Sequence, residues 1–431
     1  MWTAIGIILF ALGLLASIAW HEAGHLFFAK LFGVRVTQYM VGFGPTLFSH
    51  TGGGTEYGLK AIPLGGYIRM IGMVPPGKHQ EAGPFTGPFR AIRKLIEDSR
   101  TADRRHVTDD DHGRQFYQLH PFKRILIMFG GPLQNLIIAL GLFAVIMLGV
   151  GLPTTVPTIA SVSQCVLPAT ATSTDCPAGY TPTPAKLAGL LPGDKTISFD
   201  GQPVTSWDQM ISIIHASAGK AVGMVYERGG ATIAVRIPVA ANQIAVFDAA
   251  GNLTGTTTGG YLGIRAGTEY QKQSFGAAVG LAGDFINQAG HAILAVPSRI
   301  PALFGSIFEG KPRSQDSPMG VVGASRFGGE IMSSVAPGKD KLLLFLQLLA
   351  GFNMSLFLLN LLPMLPLDGG HILGAVIEWV RRGWAKARRR ADPGPFDVAK
   401  LMPVAYAVAM VFIALSVLTL VADVINPVKM L

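Results

Sequence analysis

The chain has 431 residues, of which 49% are hydrophobic and 14% are charged, and its mean hydropathy is +0.41. Charged residues make up about 25% of a typical soluble domain, so this composition excludes an ordinary soluble protein. The net charge of +9 does not indicate a nucleic-acid partner, because no aromatic or glycine-rich nucleic-acid motif accompanies the basic clusters. We therefore expect a membrane protein that contacts the lipid bilayer and binds no nucleic acid.

Four apolar stretches are long enough to cross a bilayer, which takes about 20 residues in a helix. They cover approximately residues 2–28, 125–150, 342–366 and 402–425. We interpret the first stretch as a retained span and not as a signal peptide. It has no basic residue before Lys30, and its apolar run continues directly into a polar motif that cleavage would remove or strand.

Basic residues between the spans predict the orientation of the chain. Lys and Arg cluster at 90–105 and 381–390, and basic loops stay in the cytoplasm. The termini and the segment 157–265 are then extracytoplasmic, in a multi-pass protein of the cell inner (plasma) membrane. The two cysteines, Cys165 and Cys176, would lie in an oxidising compartment where a disulfide can form, with two free thiols as the alternative.

Between the first two spans, residues 35–75 contain short β-like runs separated by glycines, which predict a membrane-associated β-hairpin region. The charged and proline-punctuated residues 76–122 predict a solvated cytoplasmic loop. The second span contains Gln134 and Asn135. Polar residues at membrane depth usually face other helices or a cavity, so we expect these two to be buried.

The segment 157–265 alternates between strand and helix patterns and predicts a small α/β module. Asp200-Gly201 and Gly229-Gly230 mark its tight turns. The following residues, 274–308, are apolar with polar residues on one helical face. This pattern favours a helix that lies at the membrane interface.

The strongest functional signal is the sequence His21-Glu22-Ala23-Gly24-His25 at the end of the first span. Residues i and i+4 share one face of a helix, so both imidazoles can point at one metal ion. The glutamate between them can take a proton from water, as it does in metalloproteases with this H-E-x-x-H motif. The alternative, a polar helix end that only reaches the headgroups, is disfavoured because Trp, Tyr, Lys and Arg are the usual anchors there.

A catalytic zinc site needs a third protein ligand. Asp368 is the best candidate, because it lies in an apolar segment where prolines break the helix and Gly369-Gly370 allow a tight turn. Glu378 is a rival, but it lies nearer the basic loop, where Arg381 or Arg382 can neutralise it.

H-E-x-x-H in the first span, G-P-x-x-N (131–135) in the second and N-x-x-P followed by L-D-G (360–369) in the third resemble the motifs of the site-2 protease family of intramembrane zinc proteases. The segments LAGLLPGD (187–194) and DGQPVTSW (200–207) resemble a PDZ domain. The order and spacing of the motifs are similar to those of bacterial family members that regulate anti-sigma-factor turnover, of the regulator of sigma-E protease type. The resemblance covers nearly the whole chain.

The resemblance implies one catalytic Zn²⁺ held by His21, His25 and Asp368, with Glu22 as general base and proton donor. It also implies that Asn360 binds the substrate backbone or the oxyanion, with helix packing as the alternative; Asn353 is a weaker candidate for the same role. The expected substrates are single-pass membrane proteins, such as an anti-sigma factor, already shortened by a first cleavage in regulated intramembrane proteolysis. An inactive zinc-binding scaffold that uses its PDZ-like domain is the alternative function; a metal transporter is disfavoured, because a path of several intramembrane ligands is missing from the sequence.

The predicted fold is a polytopic α-helical membrane protein with about four transmembrane helices, a membrane-associated β-hairpin region and an extracytoplasmic PDZ-like α/β domain. The predicted segments are 1–34 (first transmembrane helix with H-E-x-x-H), 35–75 (β-hairpin region), 76–122 (cytoplasmic loop), 123–153 (second transmembrane helix), 157–265 (PDZ-like domain), 270–340 (interfacial helical segment and linker), 341–380 (third transmembrane helix with the L-D-G motif), 381–400 (basic cytoplasmic loop) and 401–431 (fourth transmembrane helix and C-terminus).

Overall fold

The structure, a computed structural model, describes residues 1–76, 90–104, 107–108, 111–166, 176, 179–247, 253–314 and 317–428. Part of the predicted cytoplasmic loop 76–122 therefore lies outside the described residues. The chain forms two compact units. The first contains residues 1–148 and 274–431, and the second contains residues 149–273.

The N-terminal part of the first unit begins with a long apolar helix and a β-hairpin. Its elements are α1 (Trp2–Leu31), β1 (Val36–Gly52), β2 (Thr55–Met70), α2 (Arg90–Arg104), a 3₁₀ turn (Phe116–Gln118) and α3 (Pro121–Ala144), which a π-helical turn (Val145–Val150) extends.

Strands β1 and β2 pair antiparallel around Gly53-Gly54, both of which have a positive φ. This confirms the hairpin that the glycine spacing predicts. Two hydrogen bonds attach the hairpin to α1: the Tyr39 hydroxyl donates to the Ala19 carbonyl (2.6 Å), and Lys30 Nζ donates to the Tyr57 hydroxyl (2.5 Å). The hairpin is therefore held against the helix that carries the H-E-x-x-H motif.

The second unit is a mixed α/β domain built on an antiparallel sheet. Its elements are β3 (Leu152–Val162), α4 (Pro184–Leu187), β4 (Lys195–Phe199), β5 (Gln202–Pro203), α5 (Trp207–Ala216), β6 (Ala221–Arg228), β7 (Ala231–Pro238), β8 (Ala240–Phe247), β9 (Leu253–Tyr261) and β10 (Ile264–Gln271).

The main sheet of this unit has the order β10-β3-β4-β6-β7, with β5 paired to β4. Phe199, Met210 and Met224 are fully buried in its core. Both predicted tight turns are present, and Cys165 and Cys176 are joined by a disulfide with their Cα atoms 5.9 Å apart.

Two features of the second unit differ from the sequence prediction. The unit covers 149–273 instead of 157–265, because β3 and β10 extend the sheet at both ends with Thr-, Pro- and Gly-containing sequences that give a weak strand signal. Strands β8 and β9 form a separate two-stranded ribbon. The sequence analysis did not predict this ribbon, since its alanine-, threonine- and glycine-rich sequence lacks a clear apolar alternation.

The C-terminal part of the first unit is helical. Its elements are α6 (Phe275–Leu294), α7 (Val296–Phe308), α8 (Val321–Ser333), α9 (Gly338–Asn360), α10 (Asp368–Ala387), a 3₁₀ turn (Val398–Leu401) and α11 (Met402–Ile425).

Four described helical segments are long and apolar enough to cross a membrane, as predicted: Trp2–Leu31, Pro121–Val150, Gly338–Asn360 and Val398–Ile425. Helices α6 and α7 are bent by 60° and pass the same test together, so the number rises to five if this pair is one span. The sequence predicted an interfacial helix over these residues, and the geometry of α6 and α7 also fits a broken transmembrane span.

The predicted third span over 341–380 is two helices. Helix α9 ends at Asn360 and α10 begins at Asp368. Pro363 and Pro366 lie in the turn between them, and neither ring nitrogen can donate a helical hydrogen bond. This break places an aspartate at the first residue of a new helix.

Candidate metal centre

The two histidines of the H-E-x-x-H motif converge on one point beside α1. Their Nε2 atoms are 3.2 Å apart, as the i and i+4 positions of a helix allow. His25 is buried and His21 is half-buried. Helix α3 packs closely here, since a Cβ added to Gly24 would lie 2.1 Å from the Gly130 carbonyl oxygen. Glycines at this contact allow the two backbones to touch.

The turn before α10 brings Asp368 to the same point. Its Oδ2 atom lies 3.3 Å from His21 Nε2 and 3.3 Å from His25 Nε2. The two glycines that follow are required for this turn. An added Cβ would lie 2.3 Å from the Leu362 carbonyl oxygen at Gly369 and 2.5 Å from the Leu365 nitrogen at Gly370.

Hydrogen bonds behind the imidazoles determine which ring nitrogen faces the centre. His25 Nδ1 lies 2.8 Å from the Ile127 carbonyl oxygen, and His21 Nδ1 lies 2.6 Å from Asn135 Oδ1. Both oxygens can only accept, so each Nδ1 carries the proton and each Nε2 presents a lone pair. Asp368 Oδ2 is buried and has no hydrogen-bond donor among the described residues. Three electron-pair donors therefore face one another.

This triangle fits a tetrahedral metal ion. Ligand atoms about 2.0 Å from a tetrahedral zinc ion are about 3.3 Å apart, and the three observed separations are 3.2, 3.3 and 3.3 Å. Gly131 on α3 keeps the adjoining space clear, since an added Cβ there would lie 2.2 Å from His25 Nε2 and 2.7 Å from His21 Nε2. Within the described parts of the chain, this is the single group of three such side chains close enough to hold a metal.

Glu22 lies between the two histidines in sequence and faces the β-hairpin. Its Cγ atom would be 3.1 Å from a Cβ added to Gly66 of β2. The glutamate is half-buried, so the hairpin covers one side of it. A glycine at position 66 allows the strand to approach the glutamate this closely.

The two candidate asparagines of α9 have different surroundings. Asn353 is completely buried, and its amide hydrogens are both used, by Ser17 Oγ (3.0 Å) and the Leu349 carbonyl (2.9 Å). In this structure Asn353 therefore has no free amide hydrogen to offer to a substrate. Asn360 is half-buried, and its side chain makes no hydrogen bond within the described residues, so its amide is available to a ligand.

The rival carboxylate, Glu378, is excluded from the metal centre by its own partners. It is fully buried and forms ion pairs with Arg124 and with Arg382, the latter at 3.0 Å. It also accepts a hydrogen bond from the Phe396 backbone nitrogen at 2.7 Å. Arg382 is one of the two partners that the sequence predicted, Arg381 or Arg382, whereas the pairing with Arg124 depends on tertiary contacts.

The sequence analysis did not assign a role to three groups that surround the histidines: the Ile127 carbonyl, Gly131 and Asn135. A backbone carbonyl gives no sequence signal. The other two had signals that were only partly used, since Gly131 and Asn135 belong to the G-P-x-x-N motif and Asn135 was expected to be buried.

The site combines two imidazoles, a carboxylate and a glutamate that lies between the two histidines in sequence. The histidines and the glutamate lie on α1, which is apolar and long enough to span a membrane. This combination defines a membrane-embedded metalloprotease. The sequence matches peptidase family M50, the site-2 protease family, over residues 9–392, and the chain belongs to that family.

Named relatives agree with this class. The chain is 34% identical to "Zinc metalloprotease Rip1" of Mycobacterium tuberculosis, over 99% of this chain and 98% of the relative. It is 32% identical to the Rip1 protein of Mycolicibacterium smegmatis, over 99% of each chain. It is 28% identical to "Metalloprotease MmpA" of Caulobacter vibrioides, over 89% of this chain and 88% of the relative. The protein is a zinc metalloprotease.

Proposed function

We propose that the protein hydrolyses a peptide bond in the transmembrane segment of single-pass membrane proteins that a first protease has already shortened. Anti-sigma factors are a substrate class of this kind. The observation that carries the proposal is the convergence of His21, His25 and Asp368 from two helices in a membrane-embedded unit. A metal site in such a place can reach a peptide bond that a soluble protease cannot.

In this proposal, His21 Nε2, His25 Nε2 and Asp368 Oδ2 hold the zinc ion. Zinc, when bound, acts as a Lewis acid on the substrate carbonyl and lowers the pKa of water to about 7. The Glu22 carboxylate accepts a proton from the attacking water as the new C–O bond forms. It then gives that proton to the leaving nitrogen as the C–N bond breaks.

Asn360 supplies a further polar group to the reaction. It is the last residue of α9, just before the turn that carries Asp368. Its free amide N–H groups are suited to bind the substrate backbone or the carbonyl oxygen, where charge develops during attack.

The β-hairpin provides an edge for the substrate. A transmembrane helix hides its peptide bonds, so hydrolysis requires a stretch of it to unwind. Strand addition to the hairpin would replace the hydrogen bonds that unwinding removes. Gly66 of β2 lies against Glu22, so a segment paired to this hairpin would pass close to the proposed base.

The orientation of the protein follows from its basic loops. The basic clusters near 90–105 and 381–390 favour a cytoplasmic position for these loops, in a protein of the cell inner (plasma) membrane. The termini and the unit 149–273 are then extracytoplasmic. We propose that this unit is a PDZ-like domain that limits substrate size or binds the new C-terminus left by the first cleavage.

Glu22→Gln tests the proposal. The amide is isosteric but cannot accept a proton, so cleavage of a single-pass model substrate in proteoliposomes should fall by about 10² to 10⁴-fold. Zinc content, measured on the purified protein, should stay unchanged. Glu97→Gln on α2, which removes an ion pair with Arg100 at the surface, is the matched control and should keep full activity. Undiminished cleavage by Glu22→Gln would refute the assigned base.

A further inference from the structure

A line of buried polar side chains leads away from His21 into the helix bundle. Asn135 Oδ1 lies 2.6 Å from His21 Nδ1, and Asn135 Nδ2 donates to Asn353 Oδ1 at 3.0 Å. Asn353 Nδ2 then donates to Ser17 Oγ at 3.0 Å, and the Ser17 hydroxyl donates to the Gly13 carbonyl at 2.8 Å. The line starts and ends on α1 and passes through α3 and α9.

The direction of every hydrogen bond in this line is fixed from its far end. The Gly13 carbonyl can only accept, so the Ser17 hydroxyl must donate to it. The Leu349 carbonyl takes the second amide hydrogen of Asn353 at 2.9 Å, so Asn353 must turn its oxygen towards Asn135. Asn135 must then turn its own oxygen towards His21.

The orientation of the Asn135 amide determines which nitrogen of the His21 imidazole carries the proton. An oxygen at Nδ1 requires the proton there, which leaves the lone pair of His21 on Nε2, 3.3 Å from Asp368 Oδ2. His25 reaches the same state through one contact, since its Nδ1 donates directly to the Ile127 carbonyl. A backbone carbonyl has a fixed direction, whereas a side-chain amide can rotate by 180°. His21 therefore depends on a chain of side chains for what His25 obtains from the backbone.

We propose that Asn135 is a positioning residue that holds His21 in the metal-binding tautomer and orientation, and that Asn353 and Ser17 fix the direction of the Asn135 amide. This role rests on the ligand set proposed above. Groups that orient metal-bound histidines typically change metal affinity by about 10- to 100-fold when they are removed.

A packing role alone would give a different order of effects. Asn353 is fully buried, and its side chain bonds to groups on α1, α3 and α9. Its replacement should therefore cost the most stability. Asn135 touches the histidine directly, so its replacement should cost the most zinc affinity. Stability measurements should therefore show the largest effect at Asn353, and zinc-affinity measurements should show the largest effect at Asn135.

The test measures zinc retained by the full-length protein in detergent against a graded series of chelator concentrations, together with the thermal midpoint of the metal-free protein. Asn135→Leu should lower zinc affinity by about 10- to 100-fold. Asn135→Asp keeps an acceptor for His21 Nδ1, and carboxylates commonly support zinc-bound histidines, so it should stay within a few-fold of wild type. Asn353→Leu should have a smaller effect on zinc than Asn135→Leu, and Ser17→Ala the smallest.

Two reference variants distinguish an error in the positioning role of Asn135 from an error in the proposed ligand set. Gln347→Leu removes an exposed amide from the same helix outside the line and should leave zinc affinity unchanged. His21→Ala should lose zinc; retention would overturn the ligand set itself. If His21→Ala loses zinc but Asn135→Leu binds it as wild type does, or if Asn135→Asp is as weak as Asn135→Leu, the positioning role is wrong and the ligand set stands.

Discussion

Two turns with similar sequences, one in each unit, hold their aspartates in opposite ways. Leu-Leu-Pro-Gly-Asp ends at Asp194 in the second unit, and Leu-Pro-Leu-Asp-Gly-Gly contains Asp368 in the first. Asp194 is buried and accepts hydrogen bonds from Arg228 Nε (2.7 Å), Arg228 Nη2 (2.7 Å) and the Leu191 backbone nitrogen (2.8 Å). Asp368 Oδ2 is buried without a hydrogen-bond donor among the described residues.

The difference teaches how to tell a structural carboxylate from a metal ligand. A buried charge needs partners. Asp194 finds its partners within the protein, in Arg228 and in the Leu191 N–H, and these hydrogen bonds close its turn. Asp368 Oδ2 faces the two imidazole Nε2 atoms and receives no hydrogen bond from the described residues, as the proposed role of a metal ligand requires. Glu378, which is neutralised by two arginines, belongs with Asp194.

The largest expected effect that separates the two aspartates is on zinc. Asp368→Asn removes the anionic ligand and should weaken zinc binding by more than about 100-fold, since the loss of a supporting group alone costs 10- to 100-fold. Asp194→Asn should leave zinc content unchanged. Metal analysis of both purified variants checks this, and wild-type zinc content in Asp368→Asn would remove it from the ligand set.

Gly131→Ala tests whether the space beside the donor atoms must stay open. The new methyl group would lie 2.2 Å from His25 Nε2, so the helices must separate or the imidazole must rotate. Zinc content and proteolysis should both fall to near zero. Gly141→Ala, in the same helix with open space around it, is the control and should behave as wild type; equal zinc in the two variants would contradict the close approach of α3.

The effect of the Asp194 turn is on stability. Asp194→Asn should lower the free energy of unfolding of the second unit by about 3 kcal/mol, because the buried side chain loses charge-assisted hydrogen bonds from Arg228 and from the Leu191 N–H. Thermal unfolding of the full chain, followed by a probe in residues 149–273, measures this. Arg236→Gln, at a strand position without such a pairing in the described residues, should change stability little.

The same turn predicts a pH dependence. Burial alone would raise the pKa of Asp194, but the hydrogen bonds from Arg228 and the Leu191 N–H together hold that pKa below its ordinary value. The stabilisation is therefore complete above the ordinary pKa of about 4 and is lost as the pH falls through the lower pKa of the folded state. Asp194→Asn should remove this part of the acid sensitivity; identical acid profiles would show that the turn does not cause it.

The smallest expected effect concerns the disulfide between Cys165 and Cys176. Replacing both with serine should lower the stability of the second unit by roughly 2 kcal/mol, at the lower end of the usual range because the closed loop is short. Zinc binding should not change, because the disulfide belongs to the other unit. A full loss of folding would show that the loop contributes more than chain entropy.

Much of the site was predictable because its signals are local. The i, i+4 spacing of His21 and His25 depends only on helix geometry, and the length of the apolar runs predicted four spans. Glycines between β-like runs predicted the hairpin, and the structure locates its turn at Gly53-Gly54. Asp368 was selected because prolines and glycines beside it forecast a break, although that break splits the predicted third span into two helices.

The surroundings of the site were not predictable from such patterns. Asn135 contacts a histidine 114 residues away, Arg124 pairs with a glutamate 254 residues away, and Asn353 bonds to a serine 336 residues away. A single sequence shows that these residues are polar and have apolar neighbours in the chain, but it does not show which residues they contact in the fold. For the same reason Asn353 was grouped with Asn360 as a substrate ligand, although its amide is already engaged.

The sequence by itself determined the chemical parts of this protein: a histidine pair with a glutamate between them, a carboxylate in a helix break, and apolar lengths suited to a membrane. These follow from covalent order and short-range geometry. Only the tertiary structure decided that the carboxylate faces the histidines, that Gly131 leaves room beside them, and that each imidazole presents its Nε2 lone pair. Those features depend on the packing of α1, α3, α9 and α10, where side chains far apart in the chain complete one another's hydrogen bonds.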